Sequence, residues 1–302
     1  MLKNLAFALL LLAFGGLNAT FAQEAGQASM TAEQFESLLS FQQGKITLPG
    51  GMATLDLPPA FRYLDPADAE KVLVEGWGNP PGQKTLGMIV PAATSLLSAA
   101  GWGVIVTYDA DGHVKDDDAD AIKYDELLKE MQDSTEANNE ERKKAGYSAM
   151  SLVGWAEKPS YDKASHKLYW AKELKTAGDQ GSGLNYNIRV LGREGVLVLN
   201  AVAGMDQLAK IRTEMKQVTA FSDFTPGNRY ADFNSATDKT AEYGIATLVA
   251  GGVAAKLGLF GKLFALLLAF KKFVIIGLGA LVYGLAKFFG RDKSAAKVSL
   301  EK

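Results

Sequence analysis

Seventeen consecutive residues near the C-terminus, Phe273–Phe289, carry one charge, Lys287, and are bracketed by Lys271-Lys272 and by Arg291 and Lys293. At about 1.5 Å per residue such a helix just reaches across a hydrocarbon core of about 30 Å, and Lys287 is near enough to its end to snorkel. The run predicts a transmembrane helical anchor over 273–289, within a membrane-associated region 241–290 and ahead of a basic tail, 291–302. A second apolar stretch, 245–270, contains Lys256 and Lys262. A central lysine costs about 2.5–3.5 kcal/mol on insertion, so this stretch is expected to lie in the interface or to pair with 273–289 as a hairpin. The alternative for the whole region is a buried apolar hairpin of the soluble fold.

The other end is apolar too, and differently built. Lys3, the apolar run from Leu5 to Leu17 and Thr20-Phe21-Ala22 form the three parts of a signal peptide over 1–22, with cleavage before Gln23. Its apolar run is shorter than the roughly 20 residues of a spanning helix. An uncleaved anchor is the alternative. The main domain, 23–240, is therefore expected in the periplasm, tethered to the cytoplasmic membrane through a lipid-facing C-terminal segment.

Charge separates the two parts. Residues 256–302 hold nine Lys and Arg against Asp292 and Glu301, whereas the rest, Lys3 aside, holds 22 basic and 32 acidic residues. An acidic body with a basic apolar tail fits anionic lipid headgroups and argues against nucleic acid as partner. The chain has no cysteine, which excludes disulfides, zinc–thiolate sites and a cysteine nucleophile.

The body reads as α+β, an antiparallel meandering sheet covered by helices. Thr31 and Gln34 form a capping box ahead of Phe35, Leu38 and Leu39. Strands Lys45–Leu48 and Met52–Leu57 flank Pro49-Gly50-Gly51, and Asp65-Pro66 starts a helix ending near Gly76. Trp102–Tyr108 is a strand, and Asp111-Gly112 turns from it into His113-Val114. Asp116–Asp120 loads the start of a helix carrying Ile122, Tyr124, Leu127, Leu128 and Met131. Gln132–Lys144 is polar and expected to be solvated and frayed. Ser151–Glu157 and Lys167–Leu174 flank a turn at Tyr161–Ser165. Over Leu184–Leu191 the pattern alternates: Leu184, Tyr186, Ile188 and Val190 toward the core, Asn185, Asn187 and Arg189 on a polar face. Val196–Val202 follows, then an amphipathic helix with Leu208, Ile211, Met215 and Val218. The Gly-Trp pairs at 76–77, 101–102 and 154–155 are irregularly spaced, so their tryptophans read as core or sheet-edge packing rather than as a repeat.

Chemistry-bearing motifs are sparse. His113 and His166, the only histidines, fall in expected hairpins and read as surface turn residues. No G-x-S-x-G, H-E-x-x-H or phosphate-loop lysine occurs. Asp109, Asp111, Asp116, Asp118 and Asp120 are dense enough to be candidate metal ligands, yet Ala121 and Leu127 stand where a calcium loop needs glycine and glutamate. No catalytic or cofactor-binding residue, and no cofactor, is assigned.

Longer strings are more specific. Gly101-Trp-Gly-Val-Ile-Val-Thr-Tyr108, Asp111–Asp120, Gly154-Trp-Ala156 with Pro159–Asp162, His166–Lys172, Leu184–Val196, Phe224–Phe233 and Asp238–Gly244 together resemble a bacterial family of membrane-anchored envelope proteins, domain of unknown function 2167. The resemblance covers nearly all of the expected mature chain. It implies a membrane-anchored protein of Gram-negative type bacteria and carries no activity, substrate or catalytic residue. The functional expectation is a non-enzymatic binding or scaffold module with a protein, glycan or lipid partner. A metal-assisted hydrolase on Asp109–Asp120 and a tail-driven assembly factor are the alternatives.

Overall fold

In the computed structural model, residues 30–251 are described; the expected signal peptide, the span 273–289 and the basic tail lie outside the described residues. Thr31 opens α1 (Ala32–Glu36) with the expected capping box: its hydroxyl accepts from the Gln34 N–H at 3.3 Å, and the Gln34 side chain accepts from the Thr31 N–H at 2.8 Å. Around the Pro49-Gly50-Gly51 turn, β1 (Gly44–Thr47) pairs with β2 (Ala53–Leu57). After β3 (Phe61–Leu64), the Asp65 carboxylate accepts from the N–H groups of Ala67 and Asp68 and starts α2 (Pro66–Lys71), which runs on as a π-helical turn, Val72–Gly76. Strands β4 (Gly87–Pro91), β5 (Gly103–Asp109) and β6 (His113–Lys115) precede α3 (Tyr124–Ala137) and α4 (Asn139–Lys144). Then come β7 (Met150–Asp162), β8 (Lys167–Thr176), β9 (Gly183–Leu191), β10 (Val196–Gly204) and α5 (Leu208–Phe221). The described chain closes with β11 (Ser222–Phe224), β12 (Thr240–Gly244) and α6 (Ile245–Ala250).

The main sheet has seven strands in the order β3-β4-β5-β10-β9-β8-β7, every neighbouring pair antiparallel. It is two meanders, β3 to β5 and β7 to β10, zipped together where β5 meets β10. One face packs Val104, Val106, Tyr186, Ile188, Leu197 and Leu199 against Ile211, Met215 and Val218 of α5 and against the small β1-β2-β11 sheet. The opposite face carries two separate apolar clusters. Met88, Val90, Ile105 and Val202 meet Phe35, Ala69, Val72 and Leu73. Leu168, Trp170, Val196 and Val198 meet Ile245, Leu248 and Val249 of α6. Trp102 and Trp170 are almost wholly buried, and Trp77 and Trp155 pack partly buried against the two clusters of the second face.

The α+β class with antiparallel sheets and helices is as the sequence predicts, and among the described residues no helix is long and apolar enough to cross a membrane. Four local expectations are corrected. Asp111-Gly112 does not close a hairpin: β5 pairs with β4 and β10, while β6 pairs parallel with the distant β12, Thr240 opposite His113. The Asp116–Asp120 run does not load the start of α3, which begins at Tyr124. Gln132–Lys144 is helical except for its Asn138 joint, because its side chains bind backbone. Asn139 makes two hydrogen bonds with Met150, Arg142 Nε donates to Ser148 O at 2.9 Å, and Gln132 Nε2 donates to Leu152 O and Val153 O. Those partners lie on or beside β7, the sheet's edge strand, whose main-chain groups would otherwise depend on water. Finally, the polar face of β9 is not open to solvent.

Candidate functional site

Asn185, Asn187 and Arg189 alternate with core residues as the pattern predicts, but they face the seam between the two apolar clusters of the second sheet face. The register sets out the seam row by row. Asn187 lies between Asn200 on β10 and Trp170 on β8; Asn185 lies between Val202 and Lys172; Arg189 lies between Val198 and Leu168. Val202 belongs to one apolar cluster and Val198 to the other, so the asparagines fill the gap that neither covers.

The polar groups there are only partly satisfied. Asn187 Nδ2 donates to Asn185 Oδ1 at 2.7 Å and to Asn185 O at 3.0 Å. Asn200 is 4% exposed, yet among the described residues its Oδ1 has no hydrogen-bond donor. Burying such an oxygen unpaired costs about 1–3 kcal/mol. Arg189 lays its guanidinium over Trp170, 4.8 Å from the ring centroid, and donates to Ile188 O at 3.2 Å. Loss of water lowers Arg189 to about 10, with Asp109 pulling the other way. Lys172 is half-buried; loss of water, with Arg189 adding repulsion, lowers its amine to about 8. Among the described residues no carboxylate lies within ion-pair distance of Lys172.

The residues that the sequence marks for chemistry meet elsewhere. His113 is 6% exposed, not a surface turn residue, because parallel pairing with β12 draws it inside. Its ring stacks on Phe233 at 3.9 Å and packs on Tyr230 at 4.2 Å, and Tyr230 stacks on His166 at 4.0 Å. His166 sits in the β7–β8 turn as expected. Both histidines thus sandwich one tyrosine. Asp116 lies beneath, accepting from Tyr161 OH at 2.7 Å and Tyr230 OH at 3.3 Å, with His166 Nδ1 at 3.6 Å. Burial works against the Asp116 carboxylate, but the two tyrosine hydroxyls prevail and hold its pKa below the usual range. Burial holds His113 below the ordinary histidine value, with the backbone at Gly192 and Arg193 opposing. Sequence reasoning missed Tyr230, whose only signal is its place in the Phe224–Phe233 string.

The acidic run is dispersed. Asp118 accepts from Ile245 N–H at 3.0 Å and Ala246 N–H at 3.3 Å, capping α6. Asp111 accepts from Tyr243 OH at 2.7 Å. Asp109 ends β5 beside Val196, and Asp120 lies in a 3₁₀ turn, Ala119–Ala121. Among the described residues no three His, Asp or Glu side chains come together as a group able to hold a metal ion. Of the five candidate ligands, only Asp116 joins a histidine.

These features define an α+β domain on one antiparallel sheet, apolar on one face and split by a polar seam on the other. The chain belongs to a protein family of unknown function, DUF2167, whose model matches residues 40–282. No curated protein matches it. Among solved structures it is similar to cyanobacterial PsbP (CyanoP) from Synechocystis, at 10% identity and a TM-score of 0.34, covering 67% of this chain and 99% of that one. It is also similar to the Ran-binding protein Mog1p of Saccharomyces cerevisiae, at 11% identity and a TM-score of 0.32, covering 61% of this chain and 96% of that one.

Proposed function

We propose that the chain is a tethered envelope module that binds a small polar ligand on the seam of its sheet. Residues 1–22 export it, and 273–289 hold it to the cytoplasmic membrane with the main domain in the periplasm. One observation carries the binding half of this reading: among the described residues the buried Asn200 Oδ1 lacks a donor, in a row beside Asn187 that lies between two apolar clusters. A half-satisfied buried network costs more than an apolar one, so its presence argues for a ligand that completes it. The stacking of His113 and His166 on Tyr230, with Asp116 held by Tyr230 and His166, favours packing over turnover. The tether rests on the lysine-fringed apolar run and the charge asymmetry of the sequence.

A thermal-shift screen of neutral, cationic and anionic small polar compounds tests the reading, run on the full-length protein beside an Asn187→Leu/Asn200→Leu variant. At least one compound is expected to raise the melting temperature of the natural protein and leave the variant unmoved. Compounds acting alike on both proteins, or recovery of the product from the cytosol with its first 22 residues attached, would end it.

A further inference from the structure

We infer that the turn over 229–233 is an acid-released latch: protonation of His113 parts Tyr230 and Phe233 from the sheet and uncovers the apolar cluster beneath them. The inference concerns a different part of the molecule from the seam and does not depend on it.

The way the turn is fastened is the first argument. Its ends are held by contacts that do not respond near neutral pH. Arg229 bridges to Gly192. Beyond the turn, Asp238 accepts from Arg193 at 2.7 and 2.8 Å and from the Asn234 N–H at 2.8 Å, and these partners hold its carboxyl well below the usual range. The middle is held by rings. Phe233 stacks on His113 at 3.9 Å, and Tyr230 lies between His113 at 4.2 Å and His166 at 4.0 Å. Tyr230 packs in turn on the cluster that contains Val114, Leu191 and Val196. The ends are thus hinges, and the middle is the part that a change at a histidine frees.

The second argument is where an added proton sits. His113 is 6% exposed, and among the described residues its buried Nδ1 has no hydrogen-bond partner. Whichever nitrogen carries the proton of the neutral ring, both carry one in the charged ring, so Nδ1–H is then buried with no acceptor. The groups facing His113 do not offset this. Thr240 of β12 pairs with it through the backbone. The β9–β10 turn presents the backbone at Gly192 and Arg193, while the Arg193 guanidinium is engaged with Asp238. Asp232 accepts from the N–H groups of Gly227 and Arg229, and Lys115 on the same strand as His113 is exposed. Asp116 attracts a charged His113, but its oxygens already accept from Tyr161 and Tyr230, and His166 repels it. A proton on His166, by contrast, faces Asp116 Oδ2 at 3.6 Å from Nδ1.

The sign follows from burial. The closed ring is held below the ordinary histidine value and returns to about 6.5 once the turn opens, so opening takes up a proton and is favoured as pH falls below that value.

Hydrogen exchange of the full-length protein in detergent, read by mass spectrometry at pH 7.5 and 5.5 and corrected for intrinsic rates, tests the latch. The opening equilibrium over 110–118 and 226–244 is expected to rise about tenfold, the gain for one proton taken up at about 6.5, while β9 and β10 keep their protection. His113→Phe keeps a ring against Tyr230 and Phe233 and is expected to abolish the rise. His113→Gln, which also lacks a titrating ring, takes its place should the phenylalanine variant not fold. His166→Gln is expected to retain the tenfold ratio. Equal protection at the two pH values overturns the latch, as does a loss that spreads to β9 and β10 alike. A rise that survives in a folded His113 variant, or that vanishes in His166→Gln, overturns it too.

Discussion

The carboxylate of Asp118 occupies the space that a Cβ on Gly244 would fill: Oδ2 lies 2.5 Å from that position, and Oδ1 accepts the N–H of Ile245 at 3.0 Å. Glycine at 244 is therefore required by close approach, since its φ of −111° suits any residue. Asp118→Ala is expected to cost about 1 kcal/mol, the ordinary loss of a helix cap. Gly244→Ala should evict the carboxylate and cost at least as much. In urea unfolding the double substitution should fall well short of the sum, because both act on one contact.

Tyr230 is the centre of the ring stack. Tyr230→Phe keeps the rings and deletes the hydroxyl that donates to Val114 O and Asp116 Oδ1, for an expected loss of about 1–2 kcal/mol. Tyr230→Ala also removes contacts with both histidines and should cost about 3 kcal/mol. If the two variants unfold alike, stacking adds nothing to this corner of the fold.

Acid should weaken the same cluster. The pKa of His113 is lowered, first by burial, so the unfolded chain takes up its proton at a higher pH than the folded one. Stability from this residue is complete above the free value of about 6.5 and declines as pH falls below it. His113→Phe retains a ring against Tyr230 and Phe233 without a titrating nitrogen. The melting temperature of that variant should fall less between pH 7 and 5 than that of the natural protein.

Lys172 has the same sign in a different window. Its amine titrates at about 8 when folded and about 10.4 when unfolded, so the penalty for burying its charge is full below pH 8 and relieved as pH rises toward 10. Lys172→Met should stabilise the ligand-free protein at pH 7 by on the order of 1–2 kcal/mol and flatten this alkaline rise. A destabilised variant would mean that the amine has a partner on the natural protein.

Local physics made much of the fold readable. Thr31 and Gln34, Asp65-Pro66, and the alternation from Leu184 to Val190 each specify their element through neighbours a few residues away. Partners far off in the chain decided the rest. Nothing near His113 reveals that it pairs with Thr240, and no periodicity shows that Asn185 and Asn187 lie buried between two apolar clusters. The polar run Gln132–Lys144 looks solvated until Asn139 and Arg142 are seen bound to the backbone at Met150 and Ser148. Density of aspartates suggested one shared site, whereas tertiary contacts send Asp111, Asp116 and Asp118 to different duties.

The amide and guanidinium groups that α3 and α4 hold against β7 have a wider effect. Further along, β7 breaks register with β8 between Leu152 and Gly154, Trp155 and Glu157, and Glu157 and Ser160. A newcomer strand therefore meets occupied rungs at one end and a crooked ladder beyond. Molecules crowded side by side are thereby discouraged from stitching their sheets together through this edge.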